Sequence, residues 1–375
     1  MRIRVALDAT PELIASTGVA RYSRELRRAL ERRPDCQVRG FALGRRSEPV
    51  PDRVRHIPVP LRVIDAGWRA VGRPRAEQLS GPVDLVHSLD LVPPPTRLPL
   101  VVTVHDVVCG ELPSLHPGRA RGAQERRLAS LERAAAILAV SRSTADELVD
   151  RGVDPDRVHV TPNGLSRLPP PPPDSPHPGG RFILAVGSLE PRKGHEVLLR
   201  AVAMAGLQDV KLVFAGPTAG RAATLRSLAR ELGLGERLRI LGRVDDRVLS
   251  GLYRDAALLC LPSLGEGFGL PVLEALGAGL PVVASDLPAI REVAGEAAVL
   301  VPPGRPDTLA GVLRRVLGDP RLAARLRELG PARASSFTWE ATAEATVAAY
   351  RAALQGAGHG RSKRARTTPQ GSFIA

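Results

Sequence analysis

Two stretches of the chain carry residue types at a spacing that could do chemistry. The first is GEGFGLPVLE at 265–274. Gly265, Gly267 and Gly269 alternate ahead of Pro271, a residue favoured in the first turn of a helix. The amides around Phe268, Gly269 and Leu270 would then lie at a helix N-terminus, where unpaired N–H groups and partial positive charge suit a phosphate. Glu266 and Glu274 stand eight positions apart across that junction. Carboxylates repel a phosphate but accept hydrogen bonds from hydroxyls, so the ligand must be anionic in one part and hydroxyl-rich in another. Val272, Leu273 and Leu276 share one side of the expected helix. Glu274 falls roughly opposite, away from the core, suited to sugar hydroxyls as an acidic residue is to ribose in dinucleotide folds. A glycine-rich turn with two solvated glutamates fits these residues equally well.

The second stretch is AVGSLEPRKGHE, which follows the strand-like FILAVG and precedes a helical pattern. Arg192 and Lys193 therefore fall in a strand-to-helix loop, where two adjacent cations match a diphosphate. Lysine occurs only at Lys193, Lys211 and Lys363, so 50 of the 53 basic residues are arginine. A lysine kept in such a chain points to a need for a compact point charge.

The elements that must hold these residues alternate between short β-branched runs and helical patterns, the signature of an α/β fold with parallel sheets. IRVALDA, VDLVHS, LPLVVTVHDV, AAILAVS and VHVTPNG read as strands of a first half. Val19, Tyr22, Leu26 and Leu30 recur at helical spacing between them, as do Leu128, Leu131 and Ala135. FILAVGSL, VKLVFAG, LRILGRV, ALLCLPS, LPVVAS and AAVLVPP repeat the plan, with helices over 194–205, 221–233 and 308–318. The proline-rich segment LPPPPPDSPHPGG cannot enter a helix or a sheet interior and reads as an extended linker. The expected division is a first domain over 1–168, a linker over 169–180, a second domain over 181–337, a closing helix over 338–356 and a disordered basic tail over 357–375. Two doubly wound parallel-sheet domains facing each other place the carboxyl ends of their strands around one cleft.

Composition sets the outer bounds. A chain of 375 residues with 43% hydrophobic content suits two globular domains, and no apolar run approaches the roughly 20 residues of a membrane span. Cys36, Cys109 and Cys260 have no metal-ligand spacing and read as free thiols of a reducing compartment. The formal charge of +14 comes with an arginine skew and abundant Ala, Gly and Pro, which point to a GC-rich genome more than to selection for a basic surface; Arg361, Lys363, Arg364 and Arg366 alone account for four of it. Aromatic residues at 3% supply no basic-aromatic stripe, so nucleic acid is not an expected partner. The segment 59–79 mixes arginine with Trp68 and reads as an amphipathic helix, with contact to an anionic membrane as the alternative.

Taken together the motifs resemble the retaining GT-B glycosyltransferases of family 4, over about residues 3 to 355. The most specific part is the E-x7-E pair Glu266 and Glu274 inside GEGFGLPVLEALGAGLPVVAS. STGVARYSREL near the start, TVHDV at 103–107, AVSRSTADEL at 139–148, VTPNG at 160–164 and EPRKG at 190–194 support it. The resemblance implies a nucleoside diphosphate sugar held mainly by the second domain. Glu274 would hold the nucleotide ribose and Glu266 the hydroxyls of the transferred sugar. The loop Gly267, Phe268, Gly269 and Leu270, with Arg192 and Lys193, would hold the diphosphate. Gly18 would close on the phosphates from the first domain, and His105 would approach sugar or acceptor. The chain departs from many members in carrying Ser188 where they have arginine, so Arg192 is expected to supply the second cation.

The implied reaction is metal-independent hexosyl transfer with retention, through an oxocarbenium-like transition state, with no cofactor. The sole D-x-D, Asp154 to Asp156, reads as a connector. GDP-mannose is the first expected donor, by resemblance to a mannosyltransferase-like branch, with UDP- and dTDP-sugars open. The acceptor is a glycan, a lipid-linked molecule or a small molecule, and the setting is cytoplasmic, with peripheral membrane contact open. Another GT-B sugar-nucleotide enzyme, such as an epimerase, is the alternative. A pyridoxal phosphorylase fails for want of a convincing lysine, and a dinucleotide oxidoreductase for want of G-x-G-x-x-G in STGVARY. A basic nucleic-acid or membrane-binding protein without activity is the remaining contrast.

Overall fold

The computed structural model describes residues 2–13, 18–45, 49–89, 93–107, 130–172 and 179–365. The first half holds strands β1 (Ile3–Asp8), β2 (Cys36–Leu43), β3 (Val54–Ile57), β4 (Leu85–Ser88), β5 (Leu100–Val104), β6 (Ala136–Ala139) and β7 (Val158–Val160). They form one sheet in the order β3-β2-β1-β4-β5-β6-β7. The second half holds β8 (Phe182–Val186), β9 (Lys211–Ala215), β10 (Leu238–Gly242), β11 (Leu258–Leu261), β12 (Val282–Ser285) and β13 (Val299–Val301), in the order β10-β9-β8-β11-β12-β13. Every pairing described in both sheets is parallel.

Helices α1 (Gly18–Glu31), α2 (Leu61–Val71), α3 (Ala76–Ser80) and α4 (Arg142–Asp150) accompany the first sheet. The second has α5 (His195–Ala205), α6 (Ala222–Glu231), α7 (Asp246–Asp255), α8 (Leu270–Gly277), α9 (Pro288–Ala294), α10 (Pro306–Gly318) and α11 (Pro320–Ala334). The last helix is α12 (Trp339–Ala365). Central strands such as LVVTV in β5 and AILA in β6 are buried at every position. Continuous apolar runs of this kind are what a parallel sheet covered on both faces requires.

Strand order reverses between β1 and β4 in one sheet and between β8 and β11 in the other. Ligands of such sheets bind in the crevice beyond the carboxyl ends at that reversal. The two crevices face each other. An apolar cluster crosses between the domains, joining Tyr22 and Leu26 of α1 to Phe268 and Leu273 and to Trp339 and Tyr350. The approach is tightest at Gly267, where a Cβ would lie 1.8 Å from the His105 carbonyl oxygen, so only glycine allows it. Thr144 donates to the Gly267 carbonyl at 3.2 Å. Glu292 of α9 caps α4 across the cleft, accepting from the backbone N–H of Arg142 at 2.8 Å and Ser143 at 2.7 Å.

The chain then returns to the first domain. Tyr350 of α12 hydrogen-bonds His87 Nδ1 at 2.7 Å, Arg32 pairs with Glu340 at 3.0 Å, and Arg351 pairs with Asp35 at 2.6 Å. Helix α12 extends to Ala365, beyond the end expected at 356, so the first part of the expected disordered tail is helical. Strands β2 and β3 were not expected from the sequence, because CQVRGFAL and VRHI interleave polar residues with their apolar ones. The helical spacing at 128–135 does not form an α-helix where it is described: Ser130–Arg133 is a 3-10 turn, and Leu128 lies outside the described residues. Cys109 and half of the linker, 173–178, lie outside them too.

Trp68 points inward from α2. It packs on the core of the first domain, and its indole N–H donates to the Pro74 carbonyl at 3.0 Å. The exposed large apolar residues of α2 are Leu61, Val63 and Val71. Among the described residues no helix is long and apolar enough to cross a membrane.

Candidate functional site

The candidate site lies where the loop after β11 meets the loop after β8, opposite the ends of β1 and β5. Gly269 has φ 95°, a left-handed conformation that glycine adopts without strain, and it opens α8 with Pro271 in the first turn. Beside this turn the loop Pro191–Lys193 carries Arg192 and Lys193. The two loops are joined by the Leu264 N–H, which donates to the Arg192 carbonyl at 2.7 Å.

Glu266 and Lys193 form a pair. Lys193 Nζ donates to Glu266 Oε1 at 2.6 Å, and Ser263 Oγ donates to the same oxygen at 2.7 Å. The Lys193 side chain keeps 13% of its exposure and that of Glu266 7%. Burial by itself would push the Glu266 carboxyl up; Lys193 and then Arg192 outweigh it and hold the group below the usual carboxylate range. Arg192 Nη1 stands 4.0 Å from Glu266 Oε2. The Arg192 guanidinium also pairs with Glu190 at 3.1 Å and faces Asp106 of the first domain at 3.8 Å. Arg192 thus sits among three carboxylates, which overcome its burial and raise its pKa.

Glu274 departs from the expected placement. Instead of facing away from the core it is buried, with 7% exposure. The reason is tertiary: the outward side of α8 is covered by α7 of its own domain and α1 of the other. Tyr253 OH donates to Glu274 Oε2 at 2.8 Å, and Arg21 Nη1 donates to Oε1. The second Arg21 nitrogen, Nη2, donates to Asp246. Burial raises the Glu274 pKa, with Arg21 and Tyr253 opposing the rise.

From the first domain, Gly18 begins α1 and touches Leu270, whose Cδ1 would lie 3.5 Å from a Cβ there. His105 follows β5. Its Nε2–H donates to the Leu89 carbonyl at 3.0 Å, and its ring meets Tyr22 edge-on at 4.7 Å. Tyr22 in turn hydrogen-bonds Thr103 at 3.2 Å, and Thr103 hydrogen-bonds His87 at 2.8 Å. Burial and the nearby His105 push His87 down to about 3, so it stays neutral. Asp154, the first acid of the D-x-D, caps its own turn by accepting from the Asp156 N–H at 3.0 Å.

The structure therefore brings Gly18, Arg192, Lys193, Glu266, the 267–270 turn and Glu274 around one cleft, with the backbone of His105 against Gly267. Sequence reasoning missed Arg21, Tyr253 and Asp246. The available signal for Arg21 was its place one helical turn beyond Gly18, on a segment already assigned to the cleft.

Residues 173–333 match the family described as Glycosyl transferases group 1, and residues 16–167 the family described as Glycosyltransferase Family 4. The D-inositol 3-phosphate glycosyltransferase of Jonesia denitrificans is 32% identical over 68% of this chain, which spans 66% of that relative. The MMP alpha-(1->4)-mannosyltransferase of Mycolicibacterium hassiacum is 37% identical over 57% of the chain, which spans about half of it, 53%. A D-inositol 3-phosphate glycosyltransferase of Xylanimonas cellulosilytica is 31% identical, covering 89% of this chain and 91% of its own. Among solved structures, sucrose-phosphate synthase of Thermosynechococcus elongatus has a TM-score of 0.74 at 24% identity, covering 93% of this chain and 98% of its own. Anabaena HepE in complex with UDP and glucose has a TM-score of 0.69 at 18% identity, covering 94% and 100%. These likenesses establish the fold.

Proposed function

Since the chain belongs to the family 4 glycosyltransferases of GT-B fold, we propose that it moves a hexose, with retention, from a nucleoside diphosphate sugar to an acceptor hydroxyl. One observation carries the reading. A helix N-terminus flanked by Arg192 and Lys193 lies between two buried carboxylates, Glu266 and Glu274, at the strand ends of a two-domain cleft. The α8 amides and the two cations suit a diphosphate, and the carboxylates on either side suit ribose and hexose hydroxyls.

In this reading the bond between the anomeric carbon and the diphosphate oxygen breaks as the acceptor oxygen bonds to the same face. The acceptor proton passes to a phosphate oxygen of the leaving group. Lys193, Arg192 and the helix amides take up the charge that develops on the diphosphate. His105, held by Leu89 and Tyr22, orients the reacting groups rather than attacking. GDP-mannose is the donor to test first, in keeping with the mannosyltransferase among the relatives. The relatives named for D-inositol 3-phosphate favour a small phosphorylated polyol among the acceptors.

Melting temperature in the presence of nucleoside diphosphates and their sugars tests this directly. A ligand that binds the native state alone raises it, by about 2.7 kcal/mol of stability at a hundred times Kd. A rise with GDP and GDP-mannose, or with another nucleotide of the set, is the expected result. No rise with any nucleotide, together with a rise on adding duplex DNA, would sink the enzyme reading.

Contact with an anionic membrane surface belongs to the same reading for lipid-linked acceptors. Residues 53–75 contain six arginines and one acid, Asp65, and Leu61, Val63 and Val71 of α2 are exposed. Co-sedimentation with phosphatidylglycerol vesicles is expected for the wild type and reduced in Val63→Glu; equal sedimentation of both would remove α2 from that role.

A further inference from the structure

The carboxylate that would hold the ribose is itself held from the other domain. Arg21, on α1, forks: Nη1 donates to Glu274 and Nη2 to Asp246 at the start of α7. The Arg21 and Glu274 side chains keep 11% and 6% of their exposure. Tyr253 OH, fully buried, occupies the other Glu274 oxygen at 2.8 Å. Arg24, also on α1, stands 3.9 Å from Asp246. Helix α8 carries no titratable residue besides Glu274. The groups around Glu274 are therefore Arg21 from α1 and Tyr253 and Asp246 from α7, with Arg24 of α1 on the far side against Asp246.

A carboxylate offers about four acceptor positions. Arg21 takes one on Oε1 and Tyr253 one on Oε2, which leaves one on each oxygen. Two neighbouring hydroxyls match that remainder. We infer that Arg21 is a positioning residue of the donor site, which keeps Glu274 ionised and fixed so that both oxygens accept from the vicinal hydroxyls of ribose. Arg21 reaches Glu274 because the domains are apposed, so donor binding and closure support each other. This inference rests on the donor-site reading given above.

Removing the guanidinium has a defined consequence for pH. Burial already raises the Glu274 pKa, Asp246 adds to the rise, and Arg21 opposes it. Without Arg21 the carboxyl rises further. A neutral carboxyl has lost an acceptor position, so ribose binding would weaken as pH falls through that higher pKa and recover as pH rises. Lysine restores the charge but replaces the two-nitrogen fork that reaches Glu274 and Asp246 with a single ammonium nitrogen.

The test is calorimetric binding of GDP and UDP, and of their 2′,3′-dideoxy forms, to wild type, Arg21→Ala and Arg21→Lys from mildly acidic to mildly alkaline pH. For the ribose ligands, Arg21→Ala is expected to weaken binding roughly tenfold near neutrality and to recover with rising pH. Arg21→Lys should fall between, with the pH profile of the wild type. The dideoxy ligands should bind wild type and Arg21→Ala alike, because they lack the hydroxyls that Glu274 would accept from. Equal weakening of ribose and dideoxy ligands overturns the inference, as does tighter ribose binding in Arg21→Ala, which would make Arg21 an occupant of the hydroxyl position. Wild-type protein that binds no nucleotide removes the donor-site reading and this inference with it. Should Arg21→Ala not fold, the same comparison is made with Arg21→Lys, whose loss of the bridge must then weaken ribose ligands selectively.

Discussion

Glu274→Gln is expected to lower kcat/KM for the nucleotide-sugar donor by two to three orders of magnitude, almost wholly through KM. Hydrogen bonds to a charged group contribute about 1.5–3 kcal/mol each. Glutamine keeps the volume of Glu274 and an oxygen for Tyr253, but it offers an N–H where the second hydroxyl needs an acceptor and where Arg21 needs an anion. Losing two such bonds, each in the lower part of that range, amounts to about 3–4 kcal/mol, or a factor of several hundred. The ribose lies far from the anomeric carbon, so the interaction is the same in ground and transition states, and its loss raises KM while sparing kcat. Initial rates over a wide donor range check this. A kcat/KM within about twofold of wild type would remove Glu274 from the donor site.

Much of the scaffold around Glu274 was legible in the sequence. The inner strands are apolar runs whose length and β-branching exclude helices, and the alternation with helical patterns fixes parallel sheets and facing strand ends. GEGFGLP announces a turn into a helix by its glycines and proline, and EPRKG a loop between strand and helix. These are local signals, written within ten residues of where they act. The outer strands β2 and β3 escaped because CQVRGFAL and VRHI are interrupted by polar residues. The partner of α12 escaped as well: an alanine-rich helix shows an apolar face, but which domain it covers is decided by Tyr350 meeting His87, 263 positions away in the chain.

The same distinction explains the error at Glu274. Helical geometry correctly put it on the side away from Val272, Leu273 and Leu276, and that side would be solvent in an isolated domain. Here α1 of the other domain closes over it, bringing Arg21 from 253 positions away. One arginine among 50 carries no mark of its role. One of only three lysines does, and Lys193 stood out for that reason. Contacts across the cleft are where a one-dimensional reading stops, because neither partner's local pattern depends on the other.

Lys193→Ala should act on the other kinetic parameter. The leaving diphosphate gains charge only as the glycosidic bond breaks, so a preorganised ammonium stabilises the transition state more than the bound donor. Removing one such group costs about 2.7–4 kcal/mol, and kcat should fall by about two to three orders of magnitude. The difficulty is that Lys193 also holds Glu266 at 2.6 Å, so its loss has a structural effect that must be separated. Glu266 lies below the usual carboxylate range in the folded protein despite its burial, because Lys193 and Arg192 outweigh it. A depressed carboxyl stabilises the fold above its unfolded pKa and loses that contribution as pH falls through the folded value. Without Lys193 the depression shrinks, and acid unfolding should begin at higher pH. Adding Glu266→Gln to Lys193→Ala removes the buried charge, so the double variant should regain acid stability while turnover stays low. If Lys193→Ala loses acid stability but keeps kcat within about fivefold of wild type, Lys193 is a structural partner of Glu266 and the diphosphate is stabilised elsewhere.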